Sequence, residues 1–399
     1  MSATFPKKNR AWHILTGGYA LMRMPSWIRR FKLYFTEAFM RCTSGQTLMR
    51  WTVFSIAASV ALAIHPAFAR QGFACETPRV VPLEMGVKGR YLASDKSHSR
   101  FDPEMVSSQE EVRRRVTYPV SKIVSMADAY RATSDPLRKA DISRCLLAHF
   151  LSLQQTNALL QPKSDSDHHF ATWMTAALSI AFMKADDSFP GGSEVDRIKA
   201  YLVKMSNLVR QFYVSRNMNR VNNLQYWGGL SVGAAGLAVG DCTMIAYART
   251  VLKNGLGDID VDGLLPEELR RGERARHYHL FAAEALASLA ELTAMPLSTG
   301  ERQAMARLSW AIVTSHKGDG GLIQRRSGVS QAQDKDMTGL LLLKPFLGAD
   351  RKAASLADAL VSKARGSIFF LGGDVRYILE YRSSAEGKRV HRNCPMPTS

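Results

Sequence analysis

Apolar positions recur at helical spacing almost throughout this chain. Between residues 194 and 214, Val195, Ile198, Leu202, Met205, Leu208, Val209 and Phe212 form one stripe behind Ser193. That pattern predicts a capped amphipathic helix of about six turns. The same spacing predicts helices over 110–131, 137–160, 170–185, 227–238, 242–253, 266–292, 299–314 and 352–364. Turn-forming clusters at 162–167, 189–192 and 318–321 separate them. Only 375–381 alternates as a strand would. An all-α fold with short connections between antiparallel helices follows, with no linker dividing residues 70–399 and no strict repeat.

One apolar stretch stands apart. Residues 52–64 are apolar or small, follow Arg50 and lead into Ala67-Phe68-Ala69. A basic flank, a short apolar core and a small-x-small end predict a secretory signal peptide cleaved before Arg70. The core is shorter than the roughly 20 residues that span a bilayer. Residues 1–69 are therefore expected to be an N-terminal extension and signal peptide, and 70–399 a single exported, periplasmic domain.

The chain carries 53 Lys and Arg against 35 Asp and Glu. Nine of the basic residues and one acid fall within 1–69, so the remainder keeps an excess of ten positive charges. Such a surplus suits a polyanion. Without a basic run or a nucleic-acid motif, an exported protein is expected to meet an acidic polysaccharide rather than nucleic acid. Four cysteines remain after the leader, Cys75, Cys145, Cys242 and Cys394. They allow three pairings, lie too far apart for a zinc knuckle, and in an exported chain point to structural disulfides.

Candidate chemistry sits in two segments. Pro266 followed by two acids is a good helix start, and on that helix Arg271, Arg274 and Tyr278 fall at i, i+3 and i+7, sharing a face. A tyrosine flanked by guanidinium groups has its phenolate favoured by charge and becomes a candidate general base. The plainer alternative is a core-edge tyrosine beside solvated arginines. In the first segment, Asn222 and Asn223 read equally as caps, and Tyr226 and Trp227 as core. The run Asp165-Ser166-Asp167-His168-His169 falls in an expected loop with no second partner group, and His277 and His279 face different directions on their helix. No metal or other cofactor is expected.

Taken together these residues resemble the periplasmic alginate (poly-mannuronate) lyase family of polysaccharide lyases. The family's N-N-H-x-Y-W is met by Asn222-Asn223-Leu224-Gln225-Tyr226-Trp227, its D-x-D-G-x-L-P-x-E-L-x-R by the segment from Asp260 to Arg271, and its R-A-L-x-Y-H-N by Arg274 to Leu280. Weaker likeness covers Arg90 to Asp95, Cys145, Trp173 and Leu371-Gly372-Gly373-Asp374. The resemblance implies an α/α toroid, a monomer without a stable membrane span, and metal-independent β-elimination on an acidic exopolysaccharide. It implies Asn223 and Arg271 at the uronate carboxylate and Tyr278 as base and acid. Arg90, Gln225, Tyr226, Trp227 and Arg274 are implied substrate contacts, and Cys75–Cys145 a disulfide.

Leu224 departs from the family pattern, since leucine neither titrates nor donates a hydrogen bond where the family has histidine. Three readings follow. Tyr278 acts alone on a different acidic polymer while Leu224 packs on a sugar face; or Gln225 or His277 takes over on poly-mannuronate; or the chain binds or assembles exopolysaccharide without cutting it.

Overall fold

Successive helices pair as hairpins: α1 (Pro103–Ala132) with α2 (Pro136–Gln155), α3 (Asp165–Met183) with α4 (Ser193–Ser215), and α5 (Asn223–Val239) with α6 (Cys242–Gly257). Beyond the short α7 (Pro266–Leu269), α8 (Ala275–Leu292) pairs with α9 (Thr299–Thr314). Beyond α10 (Gly321–Ser327), α11 (Leu340–Leu347) pairs with α12 (Arg351–Val361). The computed structural model describes residues 73–81, 84–215, 222–316, 320–334, 336–348, 350–362 and 364–394, all within one compact unit. The leader expected over 1–69 lies outside the described residues.

The first helices of the hairpins touch one another in succession, α1 to α3, α3 to α5, α5 to α8 and α8 to α11. The second helices flank them outside, α2 against α4, α6 against α9 and α9 against α12. Two concentric helical layers result, and the N-terminal ends of the inner helices share one end of the molecule. Local sequence fixes the starts. Asp102, Asp135, Ser164, Asn222 and Asp241 each accept hydrogen bonds from otherwise orphaned first-turn N–H groups, and Ser298 with Glu301 closes a capping box. Helix α5 is buried nearly all round, and its glycines let α6 approach closely. A Cβ at Gly229 would lie 2.5 Å from Val251 Cγ1, and one at Gly233 2.6 Å from the Ala248 Cβ.

Three sequence expectations need correction. Residues 376–381 form a helix, α13 (Arg376–Tyr381), because Tyr377, Ile378 and Tyr381 bury one helical face. The strands β1 (Ser367–Ile368) and β2 (Gly373–Asp374) form a short antiparallel pair just before it. Residues 165–169 are the first turn of α3 rather than a loop, since the Ser164 hydroxyl caps Asp167 N–H at 3.1 Å. The helix expected over 266–292 is broken between α7 and α8 by the turn Gly272–Arg274, where Gly272 takes a left-handed φ of 54°.

Disulfides join Cys75 to Cys145 on α2, and Cys242 on α6 to Cys394 just after the last helix, α14 (Ala385–Asn393). No helix among the described residues is long and apolar enough to cross a membrane.

Candidate active site

Above the inner-helix N-termini runs a strap of residues 90–102, held as a narrow hairpin. Leu92 N–H donates to Arg100 O at 3.1 Å and Asp102 N–H to Arg90 O at 2.9 Å, with Tyr91 bridged to Phe101. Inside the turn, the Asp95 carboxylate accepts from the N–H groups of Ser97, Ser99 and Arg100 and from two serine hydroxyls. Burial works against this carboxylate, but those donors hold it far below the ordinary range. The strap carries Tyr91 onto Tyr278, and the two hydroxyls are hydrogen-bonded. The Tyr91 ring stacks on Phe101 at 5.2 Å and on His98 at 5.5 Å. Phe101 in turn lies beneath two guanidinium groups, Arg90 at 4.9 Å and Arg274 at 4.4 Å.

Although their helix is broken, Arg271, Arg274 and Tyr278 converge. The guanidinium carbons of Arg271 and Arg274 lie 4.7 and 5.9 Å from the Tyr278 ring centre. The expectation that they make the phenolate the favoured form is corrected. Burial raises the Tyr278 pKa, Tyr91 adds to the rise, and the arginines pull the other way without prevailing. The resting group is a neutral phenol bonded to a second phenol.

A buried trio lies behind this pair. Glu268 accepts from Asn223 N–H at 2.7 Å and from the Asn223 side-chain amide at 2.8 Å, and its carboxylate sits 3.6 Å from Arg271 Nε. Burial pushes the Glu268 carboxyl up while Arg271 and Asn223 oppose it. Asn223 is 1% exposed and its Oδ1 has no partner among the described residues. One amide hydrogen is therefore committed to Glu268, and the second remains available. Leu224 packs against the cluster of Val209, Phe212 and Tyr213. Gln225 is partly buried, and its side chain makes no hydrogen bond among the described residues.

Tyr226 and Trp227 do not belong with the substrate contacts. Both are fully buried. The Tyr226 hydroxyl donates to Asp258 at 3.1 Å, and Trp227 Nε1 donates to Phe281 O at 3.0 Å while its ring stacks on Phe281. Their polar atoms are spent on partners inside the fold, so their core reading holds. Arg90 is exposed beside the strap, and Arg274 is partly buried next to Tyr278.

Three side chains escaped the sequence reading. Tyr91 is adjacent to Arg90, and the likeness of that segment to the family was the one signal for it. Glu268 stands at i−3 from Arg271, the spacing of a helical ion pair. Arg113, half-buried beside Arg90, donates to Lys88 O at 2.9 Å and lies over Phe170, with no sequence signal at all. Of the histidines, buried His279 is structural. Its Nδ1–H donates to Ala275 O at 2.7 Å and its Nε2 accepts from Leu265 N–H at 3.0 Å, a tautomer assigned from those partners. Among the described residues, the one His, Cys, Asp and Glu group close enough to hold a metal is Cys75, Cys145 and His149, whose sulfurs are joined to each other.

This chain matches the family described as alginate lyase over residues 106–307. It is 30% identical over 235 residues to a polysaccharide lyase of Stenotrophomonas maltophilia, covering 58% of this chain and 67% of that protein. It is 25% identical over 316 residues to an alginate lyase of Pseudomonas fluorescens, covering 73% and 81%. Among solved structures, alginate lyase A1-III complexed with tetrasaccharide superposes with a TM-score of 0.58 at 18% identity, covering 82% of this chain and 86% of that one. A1-III from Sphingomonas species A1 gives 0.55 at 19% identity, covering 77% and 85%. These superpositions identify the layered hairpins as an α/α toroid, and the sequence matches show that this chain is a lyase and a divergent member of the alginate lyase family.

Proposed function

We propose that this lyase cleaves a uronate-containing exopolysaccharide by metal-independent β-elimination, with Tyr278 moving the proton. The observation that carries this reading is the Tyr278 hydroxyl, hydrogen-bonded to Tyr91 and flanked by Arg271 and Arg274 at the mouth of the inner layer. The C5–H of a uronate becomes acidic only when the neighbouring carboxylate is neutralised as charge develops. Arg271 and the free amide hydrogen of Asn223 supply that field, and Glu268 fixes both. Tyr278, as phenolate, takes the C5 proton. The C5–H electrons form the C4=C5 double bond as the C4–O4 bond breaks, and the new phenol returns its proton to O4. Arg90 and Arg274 bind the acidic chain, and the inner-helix N-termini favour anions at this end. On this reading residues 70–399 act as one monomeric domain in the periplasm after the leader is removed.

The test is to incubate the purified protein with a panel of uronate polymers and follow the ultraviolet absorbance of new unsaturated ends. Turnover that falls by about 10²-fold or more in Tyr278→Phe supports the mechanism. Turnover that survives Tyr278→Phe overturns it. Polymer binding without turnover in the unmodified protein supports the non-catalytic alternative instead.

A further inference from the structure

We propose that His277, oriented by Asp334, is a substrate-contacting residue that pairs the uronate carboxylate beside Tyr278. This rests on the elimination reading above.

The neutralising charge near Tyr278 is partly spent before any polymer arrives. Arg271 shares its charge with buried Glu268, Asn223 commits one amide hydrogen to the same carboxylate, and Leu224 offers nothing polar. His277 immediately precedes the tyrosine in the first turn of α8. Its ring lies edge-on to Tyr278, centroids 5.4 Å apart, and parallel to Phe281 at 6.4 Å. Phe281 continues into a partly exposed aromatic surface with Trp173, which packs in turn on Phe370. Such a surface suits the apolar face of a sugar ring.

The imidazole is held from behind. Its Nδ1 is 3.3 Å from Asp334, whose side chain is 7% exposed against 38% for His277. Arg276 Nε anchors the same carboxylate at 2.9 Å. The Arg276 guanidinium is itself fixed on Ser315 O and Ala332 O, both at 2.8 Å. Burial raises the Asp334 carboxyl, but the hydrogen bond with His277 and the charge of Arg276 bring it below its ordinary value, so it stays ionised. With Nδ1 committed to Asp334, Nε2 is the nitrogen left to face a ligand, and it makes no hydrogen bond among the described residues. A second-nitrogen carboxylate partner is how proteins fix the direction of a working imidazole. Gln225, the other side chain placed to compensate for Leu224, has no such support.

The experiment compares a uronate oligosaccharide with its methyl ester, whose carboxyl is neutral and needs no counter-charge. Binding is measured calorimetrically to the Tyr278→Phe protein with and without His277→Phe, which keeps a ring against Phe281, and again with His277→Gln. His277→Phe is expected to weaken the free acid by about 10- to 100-fold, the cost of one charge-assisted hydrogen bond, and the ester by less than about threefold. His277→Gln, keeping a neutral donor, is expected to lose less. Equal weakening of acid and ester assigns His277 to structure, and no weakening of either removes it from the site; both results overturn the proposal. If the unmodified protein neither cuts nor binds any uronate polymer, the uronate reading fails first and takes this proposal with it.

Discussion

Glu268 holds Asn223 by two hydrogen bonds, one to the backbone N–H at 2.7 Å and one to the side-chain amide at 2.8 Å. The carboxylate thus sets both where α5 begins and which way the Asn223 amide points. Its distance of 3.6 Å from Arg271 ties the second proposed carboxylate ligand to the same anchor.

Replacing one acceptor oxygen tests that anchor. In Glu268→Gln the amide end cannot accept from both Asn223 donors, so one buried N–H loses its partner or the pair rotates. Because misplacing a reactive group by about 1 Å costs on the order of 10² in rate, kcat is expected to fall about 10- to 100-fold while helical circular dichroism is retained. Unchanged kcat in a folded Glu268→Gln protein would show that Asn223 and Arg271 need no such anchor.

Burial and Tyr91 raise the Tyr278 pKa, so only a small phenolate fraction exists near neutrality. If the phenolate is the base, kcat/KM climbs as pH rises across the range in which the fold survives. Tyr91→Phe removes a partner that raises the Tyr278 pKa, and the rising limb is expected to move to lower pH. A profile that is flat or falls with alkali in the unmodified enzyme would exclude the phenolate as the free-enzyme base.

The helices were legible in the sequence because their apolar stripes and caps are local. The inner layer was less so: α5 is buried on nearly every side, so its pattern carries little direction, and its packing depends on glycines whose role appears only when α6 lies against them. The sequence spacing of Arg271, Arg274 and Tyr278 suggested one helical face. Their convergence survives the break at Gly272 because the turn and α8 still carry all three to the same end. What periodicity could not reveal was long-range pairing. Tyr91 meets Tyr278, and Asp334 meets His277, across stretches of chain whose contact depends on the whole toroid. The fate of Tyr226 and Trp227 shows the converse, since aromatic residues within a motif belonged to the core that supports the site.

Stability is expected to depend on pH from two directions. Burial, followed by the charges of Asp336 and Asp334, pushes the Glu284 carboxyl up to about 8, from an ordinary value of 4.5. The folded state then binds a proton that the unfolded state has released, so stability falls as pH rises from about 4.5 to about 8. Glu284→Gln removes this loss. Its melting temperature should gain on the parent progressively over that window and by a constant amount above it. Glu284 is not wholly sealed from solvent, so the gain is at most a few kcal/mol. In the opposite direction, burial lowers His279 to about 4, and the unfolded state takes up its proton first as pH falls below 6.5. Stability contributed by neutral His279 is present above 6.5 and is lost between 6.5 and about 4. A melting difference between parent and Glu284→Gln that does not vary with pH would remove Glu284 from this account.

The strap offers the sharpest separation of function from stability. Asp95 gathers three backbone N–H groups and two hydroxyls within residues 97–100, yet the strap contributes little to the core. In Asp95→Ala those donors turn to water, residues 90–102 lose their fixed hairpin, and Tyr91 is no longer held on Tyr278. Amide exchange in 90–102 is expected to quicken while the inner helices keep their protection, since local opening draws on local contacts. The melting temperature should move little, whereas kcat/KM should fall by about tenfold or more through loss of the positioned tyrosine pair. Tyr91→Phe separates the two contributions, because it keeps the stack on Phe101 and removes only the hydroxyl. If Asp95→Ala frees the strap by exchange and turnover is undiminished, the Tyr91–Tyr278 contact has no part in the reaction and proton transfer must be assigned to Tyr278 without it.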